Sequence, residues 1–193
     1  EVMTYCTEIK ERLLTAGVTT SFQPLYSPDG KKVAYLQNRE AVCIMDLKSG
    51  KSRVAMDAKY NYSYSDGDQY FTWSPDSKWL LADYMGNGGW NNVDVALVDA
   101  EGKEEPVNLT QSGYTDSHAR WVMGGKAMIF ASDRAGYRSH GSWGSHRDVY
   151  ITFFDADAYS KFRMNKEDRA LLEEAEKAGK KQEKKDSTDK EKK

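Results

Sequence analysis

A short turn motif returns along this chain at a nearly constant interval. An aromatic residue, Ser-Pro-Asp-Gly and a lysine occupy residues 26–31, and the pattern returns with serine in place of glycine at residues 73–78. A degenerate copy, Trp-Val-Met-Gly-Gly-Lys, follows at residues 121–126. Each copy precedes an apolar run, at residues 33–36, 79–82 and 127–130. Repeats of this length, built from short strands and turns, favour a propeller or a solenoid over other folds.

Each position of Ser-Pro-Asp-Gly has a physical role in a turn. Proline presets φ at the first central position, aspartate hydrogen-bonds its own backbone, and glycine accepts a positive φ without steric cost. We therefore predict a hairpin at each copy, between a strand that ends on the aromatic residue and the apolar run. The alternative, in which Ser27 or Ser74 is a nucleophile, is disfavoured because no base lies nearby in sequence. A catalytic residue is also not expected once per repeat.

Each repeat unit is expected to contain four short strands. In the first full unit they are predicted at residues 23–26, 32–37, 41–46 and 52–56, where Val, Ile, Leu and aromatic residues are bounded by turn formers. An aspartate after each third apolar strand keeps the same register, at Asp46, Asp99 and Asp155. Residues 2–6 and 12–15 are predicted to be the last two strands of an earlier unit.

These assignments divide the chain into five parts. Residues 1–18 are the end of a preceding blade, residues 19–60 and 61–114 are blades, residues 115–164 are a blade with a loop insertion, and residues 165–193 are a helical, then disordered, charged linker. The predicted fold is all-β, a partial β-propeller of four-stranded antiparallel blades with a helical or disordered charged tail. Because propellers close with roughly 4–8 blades, we expect a piece of a longer polypeptide. A self-contained β-sandwich is the alternative.

The composition argues against several classes of function. The net charge is −2 over 193 residues and no basic stripe interleaves the aromatic residues, so nucleic-acid binding is not predicted. Lysines after Gly179 alternate with acidic residues, which favours a solvated linker or frayed helix that follows an N-cap at Asn165. No apolar run reaches about 18 residues, so no membrane span is predicted. Cys6 and Cys43 are interpreted as buried small hydrophobic residues rather than a disulfide.

The histidines invite two chemical interpretations, and both are disfavoured. His140 and His146, with Asp133 or Asp148, form a conceivable metal site, but structural zinc sites show denser ligand spacing. A Ser-His-Asp triad that uses Ser142 is disfavoured as well, because no Gly-x-Ser-x-Gly elbow is present and proximity in sequence is not triad geometry. No catalytic residue, metal ligand or cofactor is therefore assigned.

Two polar, aromatic loops are the candidate contact surface for a peptide or glycan. They cover residues 83–92 and the insertion at residues 134–146, and loops on a rigid scaffold commonly carry binding. The candidate contact residues are Trp90, Asn91, Arg134, Tyr137, His140, Trp143 and His146.

The repeat resembles the TolB-type propeller repeat, and Ser-Asp-Arg-Ala-Gly at residues 132–136 is similar to a variant of it. Residues 132–150, then residues 158–162 and the lysine-rich linker, resemble the N-terminal propeller of bacterial tricorn-like serine peptidases, particularly secreted Bacteroidetes-type forms. That resemblance implies a six-bladed propeller followed by a second propeller, a PDZ-like module and a C-terminal peptidase domain. The catalytic serine belongs to that last domain, so no catalytic residue is carried over to this chain.

The function that this resemblance implies is a non-catalytic propeller segment that scaffolds peptide substrates or gates their access to the protease domain. The alternatives are a TolB-like periplasmic protein-binding module and the propeller lid of a prolyl-oligopeptidase-type enzyme. The expected partners are a peptide or protein substrate and the remaining blades and peptidase domain of the parent, through which the chain would also oligomerise. The implied location is the bacterial periplasm or the exterior.

Overall fold

The computed structural model describes residues 11–61, 69–86, 89, 92–138 and 144–190, with side chains as far as residue 178. Contacts divide the chain into two compact units, Glu1–Thr152 and Phe153–Lys193. Three antiparallel sheets belong to the first unit, and two helices to the second.

The sheets follow one another in chain order. In the first, the strand order is β1-β2-β3-β4, with β1 Ser21–Tyr26, β2 Lys32–Gln37, β3 Ala41–Asp46 and β4 Ser52–Met56. In the second, the order is β5-β6-β7-β8, with β5 Phe71–Trp73, β6 Trp79–Tyr84, β7 Asp94–Asp99 and β8 Val107–Asn108. In the third, β9 Asp116–Val122, β10 Ala127–Ser132 and β11 Asp148–Phe153 lie in the order β11-β10-β9. Short 3₁₀ turns occupy Ala58–Tyr60 and Met123–Gly125.

The second sheet is packed on both faces, which follows from the period of two along its strands. Leu80 and Ala82 pack against a face of the first sheet that includes Leu36 and Ile44. The intervening Leu81 packs instead with Met128 and Phe130 of the third sheet. The near-continuous apolar runs of the sequence are therefore strands buried on two faces.

The repeated motif forms the predicted hairpin turn. Ser27 Oγ donates to Asp29 Oδ1 at 2.6 Å and accepts the backbone N–H of Lys32 at 2.9 Å. Gly30 has a φ of 69°, as the turn requires. The Ser27 hydroxyl is committed to these bonds and buried, so the structural interpretation of the motif is confirmed.

The motif also joins neighbouring sheets, a role that the sequence did not reveal. The indole N–H of Trp73 donates to the carbonyl oxygen of Leu25 at 3.0 Å, and that of Trp121 to Thr72 at 3.4 Å. The backbone N–H of Asp29 donates to Ser77 Oγ in the next turn at 3.1 Å. Each of these two tryptophans thus ties its own strand to the first strand of the preceding sheet.

Two predicted strands are corrected by the structure. Residues 12–15 form no strand, and Leu14 instead packs on Tyr35, Cys43 and Met45. Residues 2–6, their predicted partner, lie outside the described residues. The unit predicted at residues 115–164 contains three strands in its described part. A fourth strand does not follow there because Asp155 accepts the backbone N–H of Ala158 at 2.7 Å and so begins a helix.

The second unit contains α1 Ala156–Arg163 and α2 Lys166–Lys190. Asn165 Oδ1 accepts the backbone N–H of Asp168 at 2.8 Å, which confirms the predicted N-cap. Phe153 packs against Tyr159 and Phe162, with ring centroids 5.3 and 5.2 Å apart. The two helices of the described part are not long and apolar enough to cross a bilayer.

Candidate functional site

Strand ends and loops gather at one end of the second and third sheets. Tyr84 at the end of β6 pairs with Asp94 at the start of β7, and Ser132 at the end of β10 pairs with Asp116 at the start of β9. The loops at residues 85–93 and 133–147 leave the sheets at this end. We call this region the loop end, and the region of the repeated turns the turn end.

A hydrogen bond joins the two loops that the sequence singled out. Arg138 Nη2 donates to Asn92 Oδ1 at 2.6 Å. Asn92 in turn donates through Nδ2 to the carbonyl oxygen of Gly113 at 3.2 Å, which adds a third loop. The described parts of the two loops are therefore in contact. Trp90, Asn91, His140 and Trp143 lie outside the described residues, so their contact roles stay predictions.

Buried carboxylates hold the arginines of the insertion. Asp116 is fully buried and accepts from Ser112 Oγ at 2.6 Å and from Arg134 Nη2 at 2.7 Å. Asp133 is buried as well, and its Oδ2 lies 3.4 Å from Arg138 Nε. Because a buried carboxylate without its partner is costly, these pairs fix where the loop leaves β10.

Arg134 therefore makes contacts within the chain that hold the start of the insertion in place. Its guanidinium bonds Asp116 and also lies over the ring of Tyr150, 4.8 Å from the centroid. The ligand contact predicted for Arg134 remains untested. Only 31% of its side chain is exposed, so only that part can reach a ligand.

Tyr137 and His146 lie opposite each other across the neck of the insertion. The backbone N–H of His146 donates to the carbonyl oxygen of Tyr137 at 2.9 Å, and the two rings meet edge-on with centroids 5.9 Å apart. A Cβ at Gly136 would lie 2.7 Å from Cβ of His146, so the narrow neck requires glycine there. The Tyr137 side chain is 66% exposed, which makes it available to a ligand.

Asp83 and His118 form a polar pair that sequence analysis missed. Asp83 Oδ1 accepts the backbone N–H of His118 at 2.8 Å, and Asp83 Oδ2 lies 3.9 Å from His118 Nδ1. Burial raises the pKa of Asp83 to about 7. Desolvation, and then the charge of Arg147, lowers the pKa of His118. Both shifts favour neutral forms, so this contact of 3.9 Å is a weak polar pair rather than a strong ion pair.

The pair exists because β9 carries a bulge. His118 has a φ of 56°, and the register between β9 and β10 shifts beside it. Gln23 in β1 has a φ of 50° beside an equivalent shift, and its side chain donates to the carbonyl oxygen of Gln69 at 2.7 Å. Gln23 and His118 each stand three residues before the aromatic residue of the motif. This shared spacing is the sequence signal from which the position of the bulge at His118 could have been predicted.

Ser117, His118 and Asp83 do not have the geometry of a catalytic triad. Ser117 Oγ lies 3.1 Å from His118 Nδ1, the same nitrogen that Asp83 approaches. A catalytic triad needs the nucleophile and the acid on opposite ring nitrogens. In the described part of the chain, no group of three His, Cys, Asp or Glu residues is placed to hold a metal ion.

No family model matches this chain. Among solved structures it is similar to the tricorn protease, with a TM-score of 0.50, 18% identity, and coverage of 69% of this chain and 13% of that one. A TolB from Agrobacterium tumefaciens gives a TM-score of 0.49 and 20% identity, and is matched over 74% of this chain and 53% of its own. A prolyl endopeptidase structure gives a TM-score of 0.46 and 17% identity, and the match covers 70% of this chain and 20% of that one.

These likenesses, at low identity, concern the fold alone. The matched proteins contain β-propeller regions, and the tricorn match supports the predicted fold class. The chain has the sheets of a β-propeller. They do not close into a ring in the described residues, and the chain spans about half of the matched TolB chain and a much smaller part of the tricorn protease.

Proposed function

We propose that this chain is a non-catalytic propeller segment of a tricorn-like serine peptidase. It scaffolds peptide substrates, or gates their access to a protease domain outside these residues. The contact surface is the loop end, and the observation that carries the proposal is the Arg138–Asn92 hydrogen bond, which makes one surface of two loops. The resemblance of residues 132–162 to tricorn-like peptidases supplies the enzyme class.

The loop end has the chemistry that an extended peptide needs. Tyr137 and His146 offer exposed rings, and the Arg138–Asn92 hydrogen bond joins their loop to the neighbouring one. The buried Asp116 and Asp133 hold the base of the insertion, which lowers the entropic cost of ordering the loop on binding. Binding through such contacts requires no cofactor or metal.

The resemblance also suggests the setting of this segment. The parent polypeptide resides in the bacterial periplasm or is secreted, and supplies the remaining blades and the peptidase domain. Any oligomer forms through the parent. The substrate is a peptide or an unfolded protein rather than a nucleic acid, in keeping with a net charge of −2.

The test measures peptide binding to the full-length parent with its peptidase domain inhibited. The probe is a fluorescein-labelled tryptic digest of casein, followed by fluorescence anisotropy. Tyr137→Ala, and separately the pair Trp90→Ala with Trp143→Ala, are expected to weaken binding at least about fivefold. Tyr26→Ala is the matched control, because Tyr26 is an exposed aromatic residue at the turn end. Equal affinities in all variants would refute the proposal.

A second measurement separates gating from the alternatives. If the propeller gates access, Tyr137→Ala lowers kcat/KM for long peptides and leaves a dipeptide substrate unchanged. A parent that binds folded proteins but no extended peptide points to the TolB-like module instead. A parent whose next domain is an α/β-hydrolase points to the prolyl-oligopeptidase lid.

A further inference from the structure

In the described part of the chain, the third sheet has one strand fewer than the other two. In the first sheet β4 pairs with β3, and in the second β8 pairs with β7. β11 is the third strand of its sheet, as β3 and β7 are of theirs, and in the described part it pairs with β10 alone. A strand with one free side presents a row of backbone donors and acceptors that can pair with another strand.

The chain turns away where its repeat would supply the fourth strand. After β3, Asp46 Oδ1 accepts the backbone N–H of Ser49 at 2.7 Å, in a tight turn that leads to β4. After β7, Asp99 Oδ1 accepts the backbone N–H of Glu101 at 2.8 Å in the corresponding turn. After β11, Asp155 caps α1 instead. The two helices therefore occupy the position in sequence where a turn and a strand are found in the other sheets.

The exposure of β11 is consistent with a missing neighbour. Val149 is the second residue of its strand and is 74% exposed. The second residues of β3 and β7, Val42 and Val95, are fully buried. Val42 pairs directly with Met56 of β4. An added strand would bring to β11 the kind of partner that Val42 already has.

We propose that the free edge of β11 is the docking site of a fourth strand, and that the helices α1 and α2 are an insertion within one blade. The occupant is an extended segment of the parent polypeptide, and this inference rests on the proposed function to that extent. It adds antiparallel to β11 as β4 adds to β3. We expect its sequence to resemble that of β4, Ser-Arg-Val-Ala-Met. In β4 the apolar residues at the end of the strand, Ala55 and Met56, are buried, and the added strand should likewise end in apolar residues.

The first experiment tests the edge by itself, with the 193-residue chain. A synthetic peptide of residues 50–58 serves as a surrogate fourth strand, and amide hydrogen exchange is measured by mass spectrometry. We expect the peptide to slow exchange in β11 at least about tenfold. The same peptide with Val54→Pro is the matched control, because proline removes a backbone donor and fits poorly in a paired strand. No protection of β11, or protection by both peptides alike, would overturn the proposal.

The second experiment identifies the occupant by comparing the parent with the 193-residue chain. Exchange in β11 is expected to be at least about tenfold slower in the parent, and similar to that of β3. Equal exchange in the two proteins would exclude a strand from the parent. Protection that rises with the concentration of the 193-residue chain, and that persists in a Val149→Lys variant in which contact through the sheet face is disfavoured, would show that a second copy pairs at the edge, which also overturns the assignment.

The gating function and the fourth strand at β11 can be refuted independently of each other. Loss of peptide binding at the loop end does not alter exchange at β11, because Tyr137 lies in the insertion and not in the strand. A parent with a protected β11 and no affinity for peptides would keep the inserted-helix architecture and reject the gating function.

Discussion

Asp83 is the residue at which burial and hydrogen bonding oppose each other most clearly. Its buried carboxylate accepts the backbone N–H of His118, which favours the charged form, yet burial prevails and raises its pKa to about 7. An acid whose pKa is higher in the folded than in the unfolded state binds more protons when folded. Its contribution to stability is therefore present below about pH 4 and is lost as the pH rises through about 7.

Asp83→Asn is expected to remove this pH dependence. An amide keeps an oxygen for the His118 N–H but cannot ionise, so the stability of the variant relative to the native protein should increase between pH 4 and pH 8 by on the order of 3 kcal/mol. Urea unfolding of both proteins at several pH values measures this difference in the free energy of unfolding. The difference between the two proteins is the quantity to follow, because Asp29 and Asp76 have lowered pKa values and weaken the fold as the pH falls. A difference that is constant with pH would contradict the prediction.

Gly86 is a second residue whose identity the fold restricts. A Cβ there would lie 2.8 Å from Asn108 Nδ2 and from the Tyr84 ring. Asn108 Nδ2 donates to the buried Asp94 at 2.7 Å, so a methyl group would disturb that bond. The same bond commits the Asn108 side chain to an internal contact.

Gly86→Ala is expected to lower the free energy of unfolding by about 1–3 kcal/mol. Gly113→Ala is the control, since nothing lies within 4 Å of a Cβ at Gly113. Thermal unfolding of both variants gives the comparison. Equal melting temperatures for the two would mean that the Asp94–Asn108 contact yields without cost.

At the scale of the strands, the sequence predicted local structure well. Periodicity and turn residues gave β2, β3 and β4 with their observed bounds, because hydrogen bonds within one hairpin link residues close in sequence. The degenerate third turn also holds its register. Gly124 and Gly125 have φ values of 67° and 92°, so two glycines form the turn there that Pro-Asp-Gly forms at residues 28–30.

What the sequence did not predict depends on contacts between distant residues. The Asp83–His118 pair joins two sheets, and nothing local marks either residue as a partner of the other. The helix at Ala156 replaced the expected strand because Asp155 acts as a cap, whereas Asp46 and Asp99 form turns. One aspartate after an apolar strand fits either outcome. The loop contacts at Arg138 and Asn92 were predicted as a shared surface, but not residue by residue.

The motif tryptophans Trp73 and Trp121 connect the sheets, and Trp73 allows a test of that role. Trp73→Phe removes the indole donor to Leu25 and some buried volume, so it is expected to destabilise the fold by about 1–3 kcal/mol. Tyr26→Phe is the matched control at the same position of the first repeat, where the side chain is 61% exposed, and should cost less than about 0.5 kcal/mol. Denaturant unfolding that ranks the two variants equally would mean that the bond between sheets adds nothing.

At the scale of the whole molecule, one face of the third sheet is only partly covered by the described residues. Ile129 and Ala131 of β10 are half-buried, as is Ile151 of β11, and Val149 is largely exposed. The residues at the equivalent positions of the first sheet are fully buried against the second: Ala34, Leu36, Val42 and Ile44. An apolar sheet face of this kind marks an interaction surface or an aggregation hazard.

We expect the isolated 193-residue chain to self-associate through this face, and Val149→Lys to reduce that association without lowering the melting temperature. The reason is that a lysine at an exposed position costs little stability but disfavours apolar contact. Val107→Lys on β8 is the control, since Val107 is 53% exposed in the second sheet. Sedimentation velocity over a range of concentrations measures the effect. If both lysine variants sediment as the native chain does, another surface drives the association.

The contact between successive turns has a consequence for how such a chain can change in length. Asp29 bonds Ser77, and Gly125 approaches Pro75, so an added residue at the turn end would break the alignment of neighbouring repeats. At the opposite end, the second and third strands of the three sheets are joined by residues 38–40, 85–93 and 133–147, which grow longer from sheet to sheet. Insertions and deletions can accumulate at that end without altering the spacing of the sheets, so new binding specificities can arise there while the scaffold stays the same.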